Sequence, residues 1–212
     1  MKFEEFISLS EAIRGVDLPG EHAHDDALPG LSNHRRKAQE ADKSPKISSV
    51  AAIVYPIDGS ANVLLTKRQS YEGVHSGQIS FPGGKVEESD PSLESAARRE
   101  VEEEVGIEHS LPELVSVLSE VYIPPSRFLV HPHLFIMDTL PQLHLNEREV
   151  HSVIHLPIEV LLDDQYVVQG EVSVASGLKL KTPFFYYEGH KIWGATAMML
   201  NEIKYILKNI ES

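Results

Sequence analysis

The sequence predicts a mixed α/β fold, and three observations carry that reading. Apolar stretches rich in β-branched residues at 47–55, 62–68 and 128–138 have the length of strands and are bounded by turn residues. Between residues 90 and 106 a helix is written with both ends marked: Asp90 suits an N-cap, Pro91 the first helical position and Gly106 a left-handed end. Near the end of the chain Met198, Met199, Ile203, Ile206 and Leu207 recur at helical spacing within Gly194 to Ile210. Helices with one apolar face need a sheet to cover, and the strands supply it.

In chain order, Phe3, Phe6, Ile7, Leu9, Ala12 and Ile13 give an amphipathic pattern that predicts a short helix from Phe3 to Arg14. Residues 17–44 carry Pro19, Gly20, Pro29 and Gly30 and read as an irregular arm, followed by a domain that starts near Pro45. Within the arm His34, Arg35, Arg36 and Lys37 form a basic cluster, read as a solvated charge run with phosphate binding as the other option. Asp58-Gly59 joins the first two strands as a hairpin. Two more strands, Leu114 to Ile123 and Phe128 to Asp138, flank a Pro124-Pro125-Ser126 turn. His131 and His133 alternate to one side of the second of these, but no Cys or third ligand stands nearby to complete a zinc site. Asn146 to Leu162 holds an acidic loop, an apolar strand and a short helix beginning near Pro157. Trp193 reads as a core or interface aromatic rather than a base-stacking platform.

The 212 residues, 42% of them hydrophobic, can bury a sizeable core. No apolar run reaches membrane-spanning length, residues 1–18 lack a signal-peptide pattern and the chain has no cysteine, which together predict a cytoplasmic protein away from membranes. A formal net charge of −13 argues against a nucleic-acid partner held by bulk electrostatics. An anionic small molecule would have to be met by local cations.

The chemistry concentrates between Phe81 and Ile107. Pro82, Gly83 and Gly84 form a turn where backbone can approach a ligand closely. Glu100, Glu103 and Glu104 stand at i, i+3 and i+4, so the three carboxylates share one arc of the helix and repel one another. A hard divalent cation between them turns that repulsion into binding. Arg99, four residues before Glu103, can orient that carboxylate, while Leu93, Ala97, Val101 and Val105 on the adjacent arc would anchor the helix to the sheet. The bland reading of three such glutamates is a solvated acidic face.

The glycine turn followed by a capped helix ending in Arg99, Glu100, Val101, Glu103, Glu104, Gly106 and Ile107 resembles the Nudix box, G-x5-E-x7-R-E-U-x-E-E-x-G-U with U aliphatic. The first half departs by one position: counted from Gly84 the acidic residue is Asp90, and eight residues then separate it from Arg99. An extra loop residue before the helix would absorb the difference, and Glu87, Glu88 or Asp90 could stand for the first glutamate of the box. The preceding segment, Leu64 to Gly84, is similar to the motif ahead of the box in coenzyme A pyrophosphatases, with Leu64, Leu65, Thr66, Arg68, Gly77 and Phe81 to Gly84 matching. Gly73 stands where that motif has an arginine.

This resemblance implies the Nudix α/β/α sandwich, a mixed sheet between the box helix and the C-terminal helix, with the arm at 1–44 and the Nudix domain at 45–212. It implies Mg²⁺- or Mn²⁺-dependent hydrolysis of a nucleoside diphosphate joined to another group, and its second motif points to coenzyme A, cleaved to adenosine 3′,5′-bisphosphate and 4′-phosphopantetheine. Glu103 and Glu104 become the principal metal ligands, Glu100 shares that role or acts on the water, and the Gly83 carbonyl adds an oxygen. Arg99 orients the cluster, and Glu149, a loop carboxylate ahead of a strand, is the other candidate base. Arg68 is the candidate phosphate-binding guanidinium, with Gln78, Ser80 and Gly84 as further substrate-binding candidates. Two rivals stand beside this reading: a Nudix hydrolase for ADP-ribose or nucleoside triphosphates, and a non-catalytic nucleotide-binding module. The sequence leaves a homodimer open.

Overall fold

A computed structural model describes residues 1–28, 32–69, 77–173 and 179–210, with the Ser32 side chain left undescribed. In chain order the elements are α1 (Phe3–Arg14), α2 (Glu21–Ala27), α3 (Ser32–Ala41), β1 (Lys46–Ile57), β2 (Ser60–Arg68), β3 (Ile79–Ser80), β4 (Gly83–Lys85), α4 (Leu93–Val105), β5 (Glu113–Val117), β6 (Val121–Ile123), β7 (Phe128–Ile136), β8 (Val150–Pro157), α5 (Ile158–Leu162), β9 (Val167–Ser173), β10 (Lys179–Tyr187), β11 (His190–Ile192) and α6 (Gly194–Ile210). The α1 and α6 helices lie where the amphipathic patterns place them. Gly73, Pro29 and Gly30 fall outside the described residues.

The expected hairpin forms. Asp58 and Gly59 both take positive φ, 47° and 79°, the twist that matches antiparallel strands joined by two residues, and Val54 pairs with Val63. Around this hairpin the main sheet runs β3-β2-β1-β7-β5, with β4 also on β1, β6 on β7 and β8 on β2. The β1–β7 pair is parallel and the others antiparallel, so the sheet is mixed.

Both faces of β1 are buried, which is why it reads as a continuous apolar run instead of an alternating one. Ala51, Ile53 and Tyr55 face one core with Ala97, Val101 and Val105 of α4, while Ala52 and Val54 face the other with Leu200 and Ile203 of α6. The α6 helix is buried almost all round, because α1 and α2 cover the side turned away from the sheet.

Three expectations need correction. The described part of the segment expected to be irregular contains α2 and α3, and Ala23, His24, Ala27 and Arg35 in it are buried. The strand expected over Leu114 to Ile123 is two short strands, both antiparallel to β7. Pro132 explains the break: it has no N–H to donate, the ladder lapses beside it, and its carbonyl accepts from Leu118 N–H at 2.9 Å. The second, three-stranded sheet, β11-β10-β9, was not anticipated. Its clearest sequence signal is Glu188-Gly189, a two-residue turn with φ of 47° and 79° between Tyr187 and His190. No helix among the described residues is long and apolar enough to cross a membrane.

Candidate active site

The site is built on α4, and the helix begins later than Asp90 suggests. Its N-cap is Ser92, whose hydroxyl accepts from Ser95 N–H at 3.1 Å. Asp90 has other work. Its carboxylate accepts from Glu87 N–H at 2.8 Å and receives a two-pronged grip from Arg99, Nε at 2.9 Å and Nη2 at 3.0 Å. Of Glu87, Glu88 and Asp90, the loop residue that reaches Arg99 is Asp90. The Arg99 guanidinium beside it holds the Asp90 carboxyl below its ordinary range. Arg99 Nη1 also donates to Glu100 Oε1 at 3.0 Å and Glu103 Oε2 at 3.3 Å, and Nη2 to the Lys85 carbonyl at 3.2 Å. One guanidinium therefore ties the loop, the glycine turn and two carboxylates together.

The other end of the helix is fixed just as firmly. Gly106 takes φ 74° and ψ 21°, as expected of a left-handed cap, and a Cβ there would lie 2.8 Å from the His144 side chain. The loop that crowds it caps the last turn with its own backbone. His144 N–H donates to the Val105 carbonyl and Asn146 N–H to the Glu104 carbonyl, each at 2.9 Å. That docking brings in Glu149, which is oriented by Asn146 Nδ2 at 3.1 Å and whose charge acts on both Glu100 and Glu104.

The three helix glutamates differ in environment. Glu103 is exposed. The Glu100 side chain is mostly buried, and burial raises its pKa against the opposing pull of Arg99. It lies against the glycine turn: a Cβ on Gly84 would fall 2.4 Å from its carboxylate. Only 2% of Glu104 is exposed; Oε1 faces Arg68 Nη1 at 3.5 Å, and Oε2 is within hydrogen-bond distance of no partner among the described residues. Burial pushes its pKa up to about 8, Arg68 and the Gly83 N–H opposing and Glu100 and Glu149 adding to the rise. Among the described residues no three carboxylates or imidazoles are already close enough to cage an ion. The chemistry of the set nonetheless fits a hard divalent cation: its donors are all oxygens, they repel one another, and one of them is buried without a counter-charge on its free oxygen.

Arg68, Gln78, Ser80, Gly83 and Gly84 all line one cavity of about 700 Å³. Among the described residues six buried polar side-chain atoms are left without a partner, and three of them belong to Arg68 (Nε), Ser80 (Oγ) and Glu104 (Oε2). Apolar side chains, Phe81, Ile123, Phe128, Trp193 and Met198 among them, line the same cavity. Trp193, expected in the core or an interface, is partly exposed on this wall. The reading of the arm missed Leu28, His34 and Arg35, which also face the cavity. The signal was present in the basic cluster, but it divides: Arg35 is buried while His34, Arg36 and Lys37 are exposed. His131 and His133 do not act together, since His131 meets Glu120 at 3.3 Å and His133 Nδ1 meets the buried Ser49 hydroxyl at 3.1 Å.

The family model of the NUDIX domain matches residues 46–173. An uncharacterised Nudix hydrolase, NudL, of Photorhabdus laumondii subsp. laumondii is 31% identical over 155 residues, which cover 72% of this chain and 82% of that one. Nudix hydrolase 15, mitochondrial, of Arabidopsis thaliana is 36% identical over 148 residues, covering 68% of this chain and 52% of its own. Among solved structures, a MutT protein from Methanosarcina mazei Go1 superposes with a TM-score of 0.53 at 20% identity, over 81% of this chain and all of the other, which is a likeness of fold. The match over residues 46–173 takes in the glycine turn, the Arg99 anchor and the glutamate arc, so the chain belongs to the Nudix hydrolase family, pyrophosphohydrolases that act on nucleoside diphosphate derivatives and generally use a divalent metal.

Proposed function

We propose that this enzyme hydrolyses the diphosphate of coenzyme A or its derivatives, releasing adenosine 3′,5′-bisphosphate and 4′-phosphopantetheine. The observation that carries the reading is the buried, half-unpartnered Glu104 beside Arg68, which itself lines a cavity with many apolar walls. The motif from Leu64 to Gly84 supplies the choice of coenzyme A, and its residues Arg68, Phe81, Gly83 and Gly84 line that cavity.

In this reading Glu100, Glu103 and Glu104 hold Mg²⁺ or Mn²⁺, and the Gly83 backbone, which lies next to Glu104, adds an oxygen. Bound there, the ion neutralises diphosphate charge and acidifies a water. The residues of the chain do the rest. Arg99, itself held by Asp90, keeps Glu100 and Glu103 turned toward the glycine turn. Arg68 takes phosphate charge beyond the reach of the carboxylates, using the Nε–H that has no partner among the described residues. Ser80 Oγ offers a second unused donor on the same wall, and Gln78 and Gly84 shape the approach. Glu149 is placed to take a proton from water, with Glu100, whose pKa is raised by burial, as the alternative base. We place the enzyme in the cytoplasm on its lack of cysteine.

The test is to incubate purified protein with coenzyme A and Mg²⁺ or Mn²⁺, follow products by chromatography with mass detection, and run a chelator control and Glu103→Gln alongside. Metal-dependent release of adenosine 3′,5′-bisphosphate, lost in a variant that remains folded, is the expected result. Turnover that prefers ADP-ribose would transfer the same machinery to the rival substrate. A Glu103→Gln enzyme near the wild-type rate would remove Glu103 from the metal site.

A further inference from the structure

The cavity has a second guanidinium in its lining. Arg35, on α3, is 7% exposed and lines the same wall as Phe128 and Met198. Among the described residues its guanidinium has little to satisfy it. Nη1 donates to the thioether sulfur of Met198, a weak neutral acceptor, and the nearest carboxylate oxygen, on Asp25, is 3.7 Å from Nη2, beyond hydrogen-bond distance. That same Asp25 oxygen is buried without a hydrogen-bond partner. A buried guanidinium has lost its water and needs an anion in return. The adjacent His34 also lines the cavity, as do Arg68 and Lys85, and two strands, β1 and β7, separate β2, which carries Arg68, from β6, which α3 contacts. The arm that carries Arg35 lies before residue 46, outside the stretch matched by the family.

We infer that Arg35 is a second anion-binding residue, which takes a phosphate monoester or a carboxylate that the substrate carries across an apolar portion from its diphosphate. The proposal rests on the diphosphatase reading above and adds a selectivity to it: the arm reads a second charge on the substrate. The preference it confers should be about 10- to 100-fold in kcat/KM, the range of a charge-assisted hydrogen bond made in a desolvated site.

Two pairs of substrates separate the possible sources of the anion. Coenzyme A and 3′-dephospho-coenzyme A differ by one phosphate monoester, and succinyl- and butyryl-coenzyme A by one carboxylate. Wild-type enzyme should favour the charged member of one pair, and Arg35→Gln should bring that ratio to about one by slowing the charged member alone, with Arg35→Lys in between. Ratios near one in both pairs for the wild type, or an Arg35→Gln enzyme that slows both members of each pair equally, would overturn the proposal and leave Arg35 as scaffold. If no coenzyme A derivative is cleaved, the substrate reading fails separately, and ADP-ribose 2′-phosphate against ADP-ribose makes the same comparison. A readout independent of turnover is thermal unfolding in millimolar inorganic phosphate. Stabilisation of the wild type that Arg35→Gln lacks supports the subsite, and equal shifts in the two proteins argue against it.

Discussion

Replacing Glu104 by glutamine should make the metal-free protein more stable at neutral pH while removing its activity. Glu104 is 2% exposed and its pKa stands at about 8, chiefly through burial, against an ordinary 4.5. Between those two values the unfolded chain has released the proton and the folded chain keeps it, so folding binds a proton and stability falls as pH rises. At about 1.4 kcal/mol per pH unit the whole interval is worth about 5 kcal/mol, and about 3 kcal/mol of it is already spent at pH 7. Glutamine has nearly the same shape and no proton to lose, so the variant escapes the penalty and still gives Arg68 an oxygen.

The assay is urea unfolding of both proteins in chelator from pH 5 to pH 8.5. Near pH 5 Glu104 is protonated in the fold and the two midpoints should lie close together; toward pH 8 the wild type should fall behind. Added Mg²⁺ should reverse the order, because a cation that binds only the ionised fold stabilises the wild type and not the variant. Parallel stability curves across this range would refute the reasoning, since they would mean that Glu104 ionises in the fold without cost.

Three further outcomes follow from the same geometry. Asp90→Ala removes the two-pronged partner of Arg99 and should cost about 1–3 kcal/mol in thermal stability and at least tenfold in kcat, while Asp90→Glu retains most of both. A loss confined to stability would show that Arg99 holds the carboxylates without help. Gly84→Ala puts a Cβ 2.4 Å from the Glu100 carboxylate, a flexible group that can swing away, so activity should fall about 100-fold with a midpoint of unfolding within about 1 kcal/mol of wild type; wild-type kinetics would remove Glu100 from the reaction. Glu202→Ala leaves His24 Nε2 and the Gly20 and Ser119 N–H groups without their shared acceptor, which should cost about 3–5 kcal/mol in urea unfolding and speed hydrogen exchange in α2 first. Because these contacts hold the Glu202 carboxyl below its ordinary pKa despite burial, the wild type should lose this contribution as pH falls below about 4.5, and the variant should not.

What could be read in advance was local, and what could not depended on partners distant in sequence. The ends of α4, the Asp58-Gly59 turn and the span of α6 follow from a few adjacent residues, and the structure places each of them within three positions of the reading. Asp90 and Ser92 are both good caps two residues apart. Only the demand of Arg99, nine residues on, decides that the first becomes an ion-pair partner and leaves the second to start the helix. The arm shows the same competition more strongly. Its prolines and glycines argue for irregular chain, and α2, at seven residues, is too short to persist in isolation. Tertiary contact overrides that preference: Asn201 Nδ2 donates to the Ala23 carbonyl, and Glu202 accepts from His24 and from Gly20 N–H.

The clue to the arm lay in α6 and not in the arm itself. Asn201, Glu202 and Lys204 interrupt a helix that is otherwise apolar and buried, and a charge inside such a helix requires a partner from somewhere in the chain. Lys204 finds Asp164, which opens the short 3-10 turn that follows α5, and Glu202 finds the arm. The pattern of α6 thus states that a second layer must cover it, without saying which residues form that layer. Once the layer is the arm, the consequence reaches the active site. Asp25 of α2 and Met198 of α6 both stand beside Arg35 of α3, which lines the same cavity as Arg68 and the glycine turn. With Arg35 reading the substrate's second charge, as proposed above, a substitution at Glu202, which docks α2 on α6, should alter that selectivity as well as stability.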